Sequence, residues 1–255
     1  SLTSPDEYQR VFYDFSAEEV IIRGGKGDDV FISDDGIAPL KVYGDDGEDA
    51  FLIGRVLKTV TVDTNGDGVT DLEVIDGAEG ITAGVSFGSI FYGGDDDDYF
   101  EVNHNIATLD LFGESGDDTF FLKAQLTTDP DAGLGGANSE LARGVITAGA
   151  GDEQGQIGAE EKDVLINYVQ NNVVRIFGGS GFDTVVVAGT SLDDTFYIYT
   201  DNDGRQYLYG AGLKIENIDG VERLAVVTGG GDDTVYLYGL NERLSLVLGL
   251  GSGND

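Results

Sequence analysis

The feature that most constrains this chain is a short glycine and aspartate turn that recurs with an apolar tail. It reads RGGKGDDVFI over residues 23–32. It returns as YGDDGEDAFLI (43–53), YGGDDDDYFEV (92–102), FGESGDDTFFL (112–122), FGGSGFDTVVV (177–187) and TGGGDDTVYLY (228–238). Each copy places a glycine-rich turn, an aspartate, one variable residue and then an apolar one. The aspartates are Asp29, Asp49, Asp98, Asp118, Asp183 and Asp233, with a looser copy at Asp194 and a truncated one at Asp255. Two positions on stand Phe31, Phe51, Phe100, Phe120, Val185, Phe196 and Val235. A degenerate copy starts at TAGAGD (147–152), is interrupted by EQGQIGAEEK and resumes at Asp163. Regular self-similarity of this kind marks a stacked repeat.

The spacings predict the architecture. Asp29 and Asp49, Asp98 and Asp118, and Asp163 and Asp183 are each 20 residues apart, while Asp233 and Asp255 are 22 apart. The first members of these pairs are separated by 69, 65 and 70 residues. The chain therefore divides into a lead-in (1–22) and about four units, at roughly 23–91, 92–146, 147–226 and 227–255. Short apolar runs rich in Val, Ile, Phe and Tyr flank nearly every turn, which makes strand, aspartate turn, strand the local unit. Only 5–20 and 138–145 resemble helices, and weakly, so the expected class is all-β.

Twenty residues make one coil of a parallel β-solenoid, each coil advancing ~4.8 Å along the axis. An irregular parallel β-solenoid or β-roll-like fold with inserted hairpins is the expected architecture. A calcium-binding β-propeller, with the longer unit as a blade, is the alternative. The opposite corner of each coil (SDDGIAP, VNHNIAT, YVQNNV, YGLNER) lacks the motif, so a solenoid should carry ions along one edge only.

Charge narrows the partners. Fourteen Lys and Arg stand against 48 Asp and Glu, a net charge of −34, which argues against nucleic acid and anionic membrane surfaces. With 12 Tyr, 13 Phe and 40% hydrophobic residues the chain has the material for a core. Forty glycines beside three prolines suit ordered tight turns better than a linker. Cysteine is absent, removing disulfides and thiolate metal sites. Methionine is absent too, and the last copy stops at its aspartate, so the chain is expected to be a segment of a longer protein. No apolar run is long enough for a membrane span, and no membrane insertion is expected.

Turns that each carry two or three carboxylates, stacked ~5 Å apart, repel unless a cation lies between them. Glycines let carbonyl oxygens turn inward, and with carboxylates they complete the six to eight oxygens that calcium prefers. Magnesium demands a tighter octahedron, and zinc, iron or copper would want cysteine or more than one histidine. RGGKGDDVFI resembles the Gly-Gly-x-Gly-x-Asp-x-apolar-x pattern of the RTX (repeat-in-toxin) calcium-binding β-roll family, completely at 24–32. FGGSGFDTVVV matches at every defined position, and the copies at 44, 93, 113 and 228 each replace one or more glycines.

The resemblance implies that Asp29, Asp49, Asp98, Asp118, Asp183 and Asp233 are calcium ligands. Beside them stand Asp28, Asp46, Asp96, Asp163 and Asp255 and the turn glycines Gly25, Gly27, Gly47, Gly116 and Gly181. It also implies export in the unfolded form and folding outside the cell. Family members carry the nonapeptide in unbroken tandem, with ions on both edges. Here only pairs occur, 45 to 50 residues apart, which favours an irregular solenoid.

A second ion-binding signal is independent. TVTVDTNGDGVTDLEVI (59–75) sets Asp63, Asn65, Asp67 and Asp71 in the order Asp-x-Asn-x-Asp-Gly-x-x-Asp between alternating strands, a spacing that wraps oxygens around one calcium. It lacks the glutamate that ends an EF-hand loop and is similar to the calcium hairpin of integrin-type propeller repeats. A plain Asn-Gly hairpin turn is the alternative. TDNDGRQ (200–206) reads as a simple hairpin.

Catalysis has little footing. His104, the one histidine, is expected at a polar surface corner; the G-x-S-x-G elbow fails at Phe182, and no phosphate-cradling GxxxxGK[ST] exists. Tyr197, Tyr199, Tyr207 and Tyr209 alternate along two strands, expected as core packing or a cross-strand ladder, with an exposed contact surface as the alternative. The resulting expectation is a non-enzymatic, calcium-loaded structural repeat of a secreted bacterial surface, adhesin or matrix protein, located extracellularly or at the cell surface. Calcium is its cofactor, and cell-surface glycans or other copies of itself are alternative partners.

Overall fold

The computed structural model describes residues 11–14, 16–63, 69–70, 72–128 and 166–255. Two sheets, one mainly parallel and one wholly parallel, face each other across the core. The first has nine strands: β1 (Val20–Lys26), β4 (Leu40–Asp46), β9 (Ser89–Asp95), β11 (Leu109–Ser115), β15 (Val174–Ser180), β19 (Leu213–Asp219), β18 (Gln206–Gly210), β17 (Thr195–Thr200) and β21 (Thr234–Leu237), in that spatial order. The second has seven: β2 (Val30–Ser33), β5 (Ala50–Ile53), β10 (Tyr99–Val102), β12 (Thr119–Lys123), β16 (Thr184–Ala188), β20 (Arg223–Val227) and β22 (Ser245–Gly249). The chain is thus the expected irregular parallel solenoid, with every pairing in the second sheet parallel. Strands stack coil upon coil, not as propeller blades. Among the described residues the only helical element is the 3-10 turn Ala78–Gly80.

Alternation within each strand explains the two faces. Leu40 and Val42 of β4, Phe91 of β9, and Leu109 and Leu111 of β11 point inward, as do Phe51, Phe100, Phe120 and Val185 of the second sheet. Residue-for-residue register stacks like on like: Phe31, Phe51, Phe100 and Phe120 form one ring column with centroids 5.0, 4.6 and 4.8 Å apart. On the outer face of the first sheet Tyr43, Tyr92, Phe112 and Phe177 form a second column at 4.6, 5.0 and 4.4 Å, with the Arg23 guanidinium 4.0 Å over Tyr43. Face-offset stacking of this kind adds to area burial at each rung.

Insertions leave and rejoin between rungs. The hairpin β6 (Thr59–Val62) and β7 (Leu72–Ile75) pairs with β13 (Leu126–Thr127), which pairs with β14 (Asn167–Tyr168). A short bridge joins β3 (Asp35–Gly36) to β8 (Gly84–Val85). The antiparallel strand β18 is a further insertion inside the first sheet, between β17 and β19.

Candidate carboxylate ladders at the turns

The turns that follow β1, β4, β9, β11 and β15, from the first sheet to the second, each hold one aspartate at the same register, so consecutive carboxylates stand one strand spacing apart. The main-chain N–H of Asp29 donates to Asp49 Oδ1 (2.7 Å), that of Asp49 to Asp98 Oδ1 (2.9 Å), and that of Asp98 to Asp118 Oδ1 (2.8 Å). The series continues with Asp118 N–H to Asp183 Oδ1 (2.9 Å) and ends with Asp183 N–H to Glu222 Oε2 (2.8 Å). A second set runs in the opposite direction on the residue before. The N–H of Glu48 donates to Asp28 Oδ1 (3.2 Å), that of Asp117 to Asp97 Oδ1 (2.7 Å) and that of Phe182 to Asp117 Oδ1 (2.7 Å). Side-chain oxygens thus take over the hydrogen bonding that the strands lose where the chain bends.

The inner carboxylates are buried and only half satisfied. Asp49, Asp98, Asp118, Asp183 and Asp233 are 0–3% exposed, and the Oδ2 of each has no protein hydrogen-bond partner. Burial pushes Asp98 up to about 8 and Asp118 to about 7, opposed by the main-chain N–H each accepts and reinforced by neighbouring carboxylates. Asp49 and Asp183 are raised for the same leading reason. An unpartnered buried carboxylate oxygen is costly unless a proton or a cation compensates it.

The glycines make this geometry possible. A side chain at Gly44, Gly93 or Gly113 would place its Cβ 2.0 Å from Oδ2 of Asp49, Asp98 or Asp118. The second and fourth turn positions are left-handed in seven turns. These are Gly25 and Gly27, Asp45 and Gly47, Gly94 and Asp96, Glu114 and Gly116, Gly179 and Gly181, Gly229 and Gly231, and Gly251 and Gly253. Asp45, Asp96 and Glu114 hold φ of 77°, 75° and 78° where glycine would be unstrained.

Three expectations change. The motif does not keep to one edge: the turns ending at Asp194, Asp233 and Asp255 follow β16, β20 and β22 of the second sheet. They therefore lie on the opposite edge, where the N–H of Asp194 donates to Asp233 Oδ1 (2.8 Å) and that of Asp233 to Asp255 Oδ1 (3.0 Å). The signal was the 11-residue step from Asp183 to Asp194, half of a 20-residue coil. The stacking also crosses the long intervals, for Asp49 sits directly against Asp98 although 49 residues separate them. Glu222 was missed because its turn, Gly220 to Glu222, has no motif. His104 is 7% exposed instead of lying at a surface corner. Its Nδ1 lies 2.9 Å from the Thr82 carbonyl oxygen, among Asn103, Asn105 and Asn171, and burial lowers its pKa.

Other expected residues fall elsewhere. Asp46 pairs with Lys26 on the surface (2.7 Å), and Asp96 occupies a left-handed turn position with its side chain exposed. Asp63 directly follows β6; Asn65, Asp67, Asp71 and Asp163 lie outside the described residues. In TDNDGRQ the Asp201 carboxylate accepts the N–H of Asp203 and of Arg205 and the Tyr207 hydroxyl, closing the hairpin internally. Tyr197, Tyr199, Tyr207 and Tyr209 form a ladder on the outer face, with Tyr199 and Tyr207 4.8 Å apart.

Among the described residues no three carboxylate or imidazole side chains converge on one point. A cation held here would therefore draw most of its oxygens from main-chain carbonyls, with the unpartnered Oδ2 atoms as its anionic ligands. That donor set is all oxygen and suits a hard divalent ion such as calcium. Comparison with protein-family models, curated proteins and solved structures finds no match.

Proposed function

We propose that the chain is a calcium-binding structural repeat segment of a secreted bacterial surface, adhesin or matrix protein that becomes rigid on meeting extracellular calcium. The observation that carries this reading is the set of five buried, unpartnered Oδ2 atoms beside left-handed glycine turns. Asp49, Asp98, Asp118, Asp183 and Asp233 would hold the ions with carbonyl oxygens of the glycine turns, and calcium would supply the positive charge that the buried carboxylates need. Binding to the folded state alone adds RT ln(1 + [L]/Kd) per site, so the stability of the segment follows the calcium concentration. The likeness of RGGKGDDVFI to RTX repeats supports an exported protein that folds outside the cell.

Far-ultraviolet circular dichroism with and without chelator tests this reading. The expected result is loss of β signal in chelator and recovery on adding calcium, and an unchanged, fully folded spectrum in chelator would sink it.

A glycan- or protein-binding module is the second reading. Tyr197 and Tyr236 favour it: they stack 5.1 Å apart and are 37% and 43% exposed on the outer face of the first sheet. Binding of surface glycans or a partner that is lost in Tyr197→Ala without loss of fold would select it.

A further inference from the structure

Two turns in the ladders differ from the rest in a way that sets limits on where cations go. The turn 189–194 (GTSLDD) has neither left-handed position: Thr190 and Leu192 are absent from the positive-φ residues, whereas the equivalents in the seven other turns are all there. Its aspartate is also fully satisfied. Asp194 Oδ1 accepts the Tyr168 hydroxyl (2.5 Å) and the Thr190 hydroxyl (3.1 Å), and Oδ2 accepts the Thr190 N–H (2.6 Å). Asp194 is as buried as the others, yet neither of its oxygens is left unpartnered.

The first ladder ends in a different device. After β15, whose pairing with β19 contains a register shift, the next rung turns through only Gly220, Val221 and Glu222 instead of six residues. Val221 is 6% exposed and fills the turn with an apolar side chain, while Glu222 reaches back to accept the Asp183 N–H. A three-residue turn leaves out three of the residues that the other turns place around their aspartate, and the Glu222 carboxylate is partly exposed, so this rung has no fully buried charge for an ion to compensate.

We infer that two turns of the carboxylate ladders hold no cation: the Glu222 turn, which closes the ladder of Asp49, Asp98, Asp118 and Asp183, and the Asp194 turn, locked by Tyr168 and Thr190, from which the ladder through Asp233 begins. This rests on the calcium reading above and adds the two excluded turns. Tyr168 is a positioning residue. It comes from β14, outside the two main sheets, and donates to Asp194 a hydrogen bond that stands in for a metal ion. The second ladder therefore starts from a turn that protein hydrogen bonds hold without an ion. The two ladders share no turn, and both β16 and β20 run from a turn of the first to a turn of the second.

The test combines calcium stoichiometry with direct location of the ions. Equilibrium dialysis with calcium is run on the full chain and on Asp98→Asn, Asp233→Asn and Asp194→Asn. Asp98→Asn and Asp233→Asn are expected each to lose at least one bound ion per molecule and Asp194→Asn to lose none. Should a variant not fold, wild-type crystals grown in calcium and measured for anomalous scattering answer the same question. Peaks are expected beside Oδ2 of Asp49, Asp98, Asp118, Asp183 and Asp233, and none within coordination distance of Asp194 or Glu222. A peak at Asp194 or Glu222 overturns the exclusion of that turn while leaving the calcium reading intact. No calcium bound by the wild-type chain overturns both.

Discussion

At the scale of single residues, burial has inverted the usual behaviour of aspartate. Asp98 is pushed up to about 8 and Asp118 to about 7, chiefly by desolvation. A carboxyl with a folded-state pKa above its unfolded value of ~3.9 holds an extra proton in the folded chain. Its stabilising contribution is complete below about pH 4 and is lost as the pH rises through about 8. The metal-free chain is therefore expected to melt at a lower temperature at about pH 9 than at about pH 5, and calorimetry in chelator measures this. Calcium binding should release protons across the same window, which pH-stat titration records. A melting temperature in chelator that rises from pH 5 to pH 9 would contradict the burial argument. The strained non-glycine turn residues make a second prediction. Asp96 holds φ 75° with an exposed carboxylate, so Asp96→Gly is expected to stabilise the metal-free chain by about 1 kcal/mol, read by urea unfolding.

At the scale of elements, the first glycine of each turn and the phenylalanine column are the parts least open to change. A methyl at Gly113 would stand 2.0 Å from Asp118 Oδ2 and 2.5 Å from the Gly178 carbonyl oxygen, both fixed by the rungs on either side. Gly113→Ala should cost on the order of 3 kcal/mol in urea unfolding, against ~1 kcal/mol or less of the opposite sign for Gly→Ala at an unstrained open site. Phe100 is 0% exposed and stacked between Phe51 and Phe120, so Phe100→Ala is expected to cost about 3–5 kcal/mol. These elements were legible in the sequence because their causes are local. Alternating side chains predict which face of β5, β10 and β12 is buried, and a Gly-Gly-x-Gly-x-Asp run predicts a turn with left-handed residues. Glu222 and the bond from Tyr168 to Asp194 were not legible. Glu222 acts from a turn of another length, and Tyr168 acts from a strand 26 residues away in sequence.

At the scale of the whole molecule, a net charge of −34 and a stack of buried carboxylates make two different demands on the solvent. Monovalent salt screens the surface repulsion, with a Debye length of ~3 Å at 1 M, but does not restore the solvation lost by Asp98 or Asp118. Raising sodium chloride in chelator is expected to raise the melting temperature only modestly, whereas millimolar calcium raises it much further. Equal effects of the two salts would place the stabilisation in general screening and not in specific sites.

The amino-acid sequence by itself determined the all-β class, the parallel stacking and the aspartate of each turn that carries the full motif, because the motif and the alternation that flanks it lie within one rung. Only the tertiary structure decided which rungs are neighbours and on which edge each turn lies. Asp49 meets Asp98 across 49 residues, and Asp194 begins a ladder on the opposite edge only 11 residues after Asp183. The physical reason is that closing a loop costs only about 0.6 kcal/mol more for each doubling of its length, so strand pairing is indifferent to how much chain is looped out between rungs. Spacing along the chain therefore specifies the turn, and pairing between sheets specifies the row.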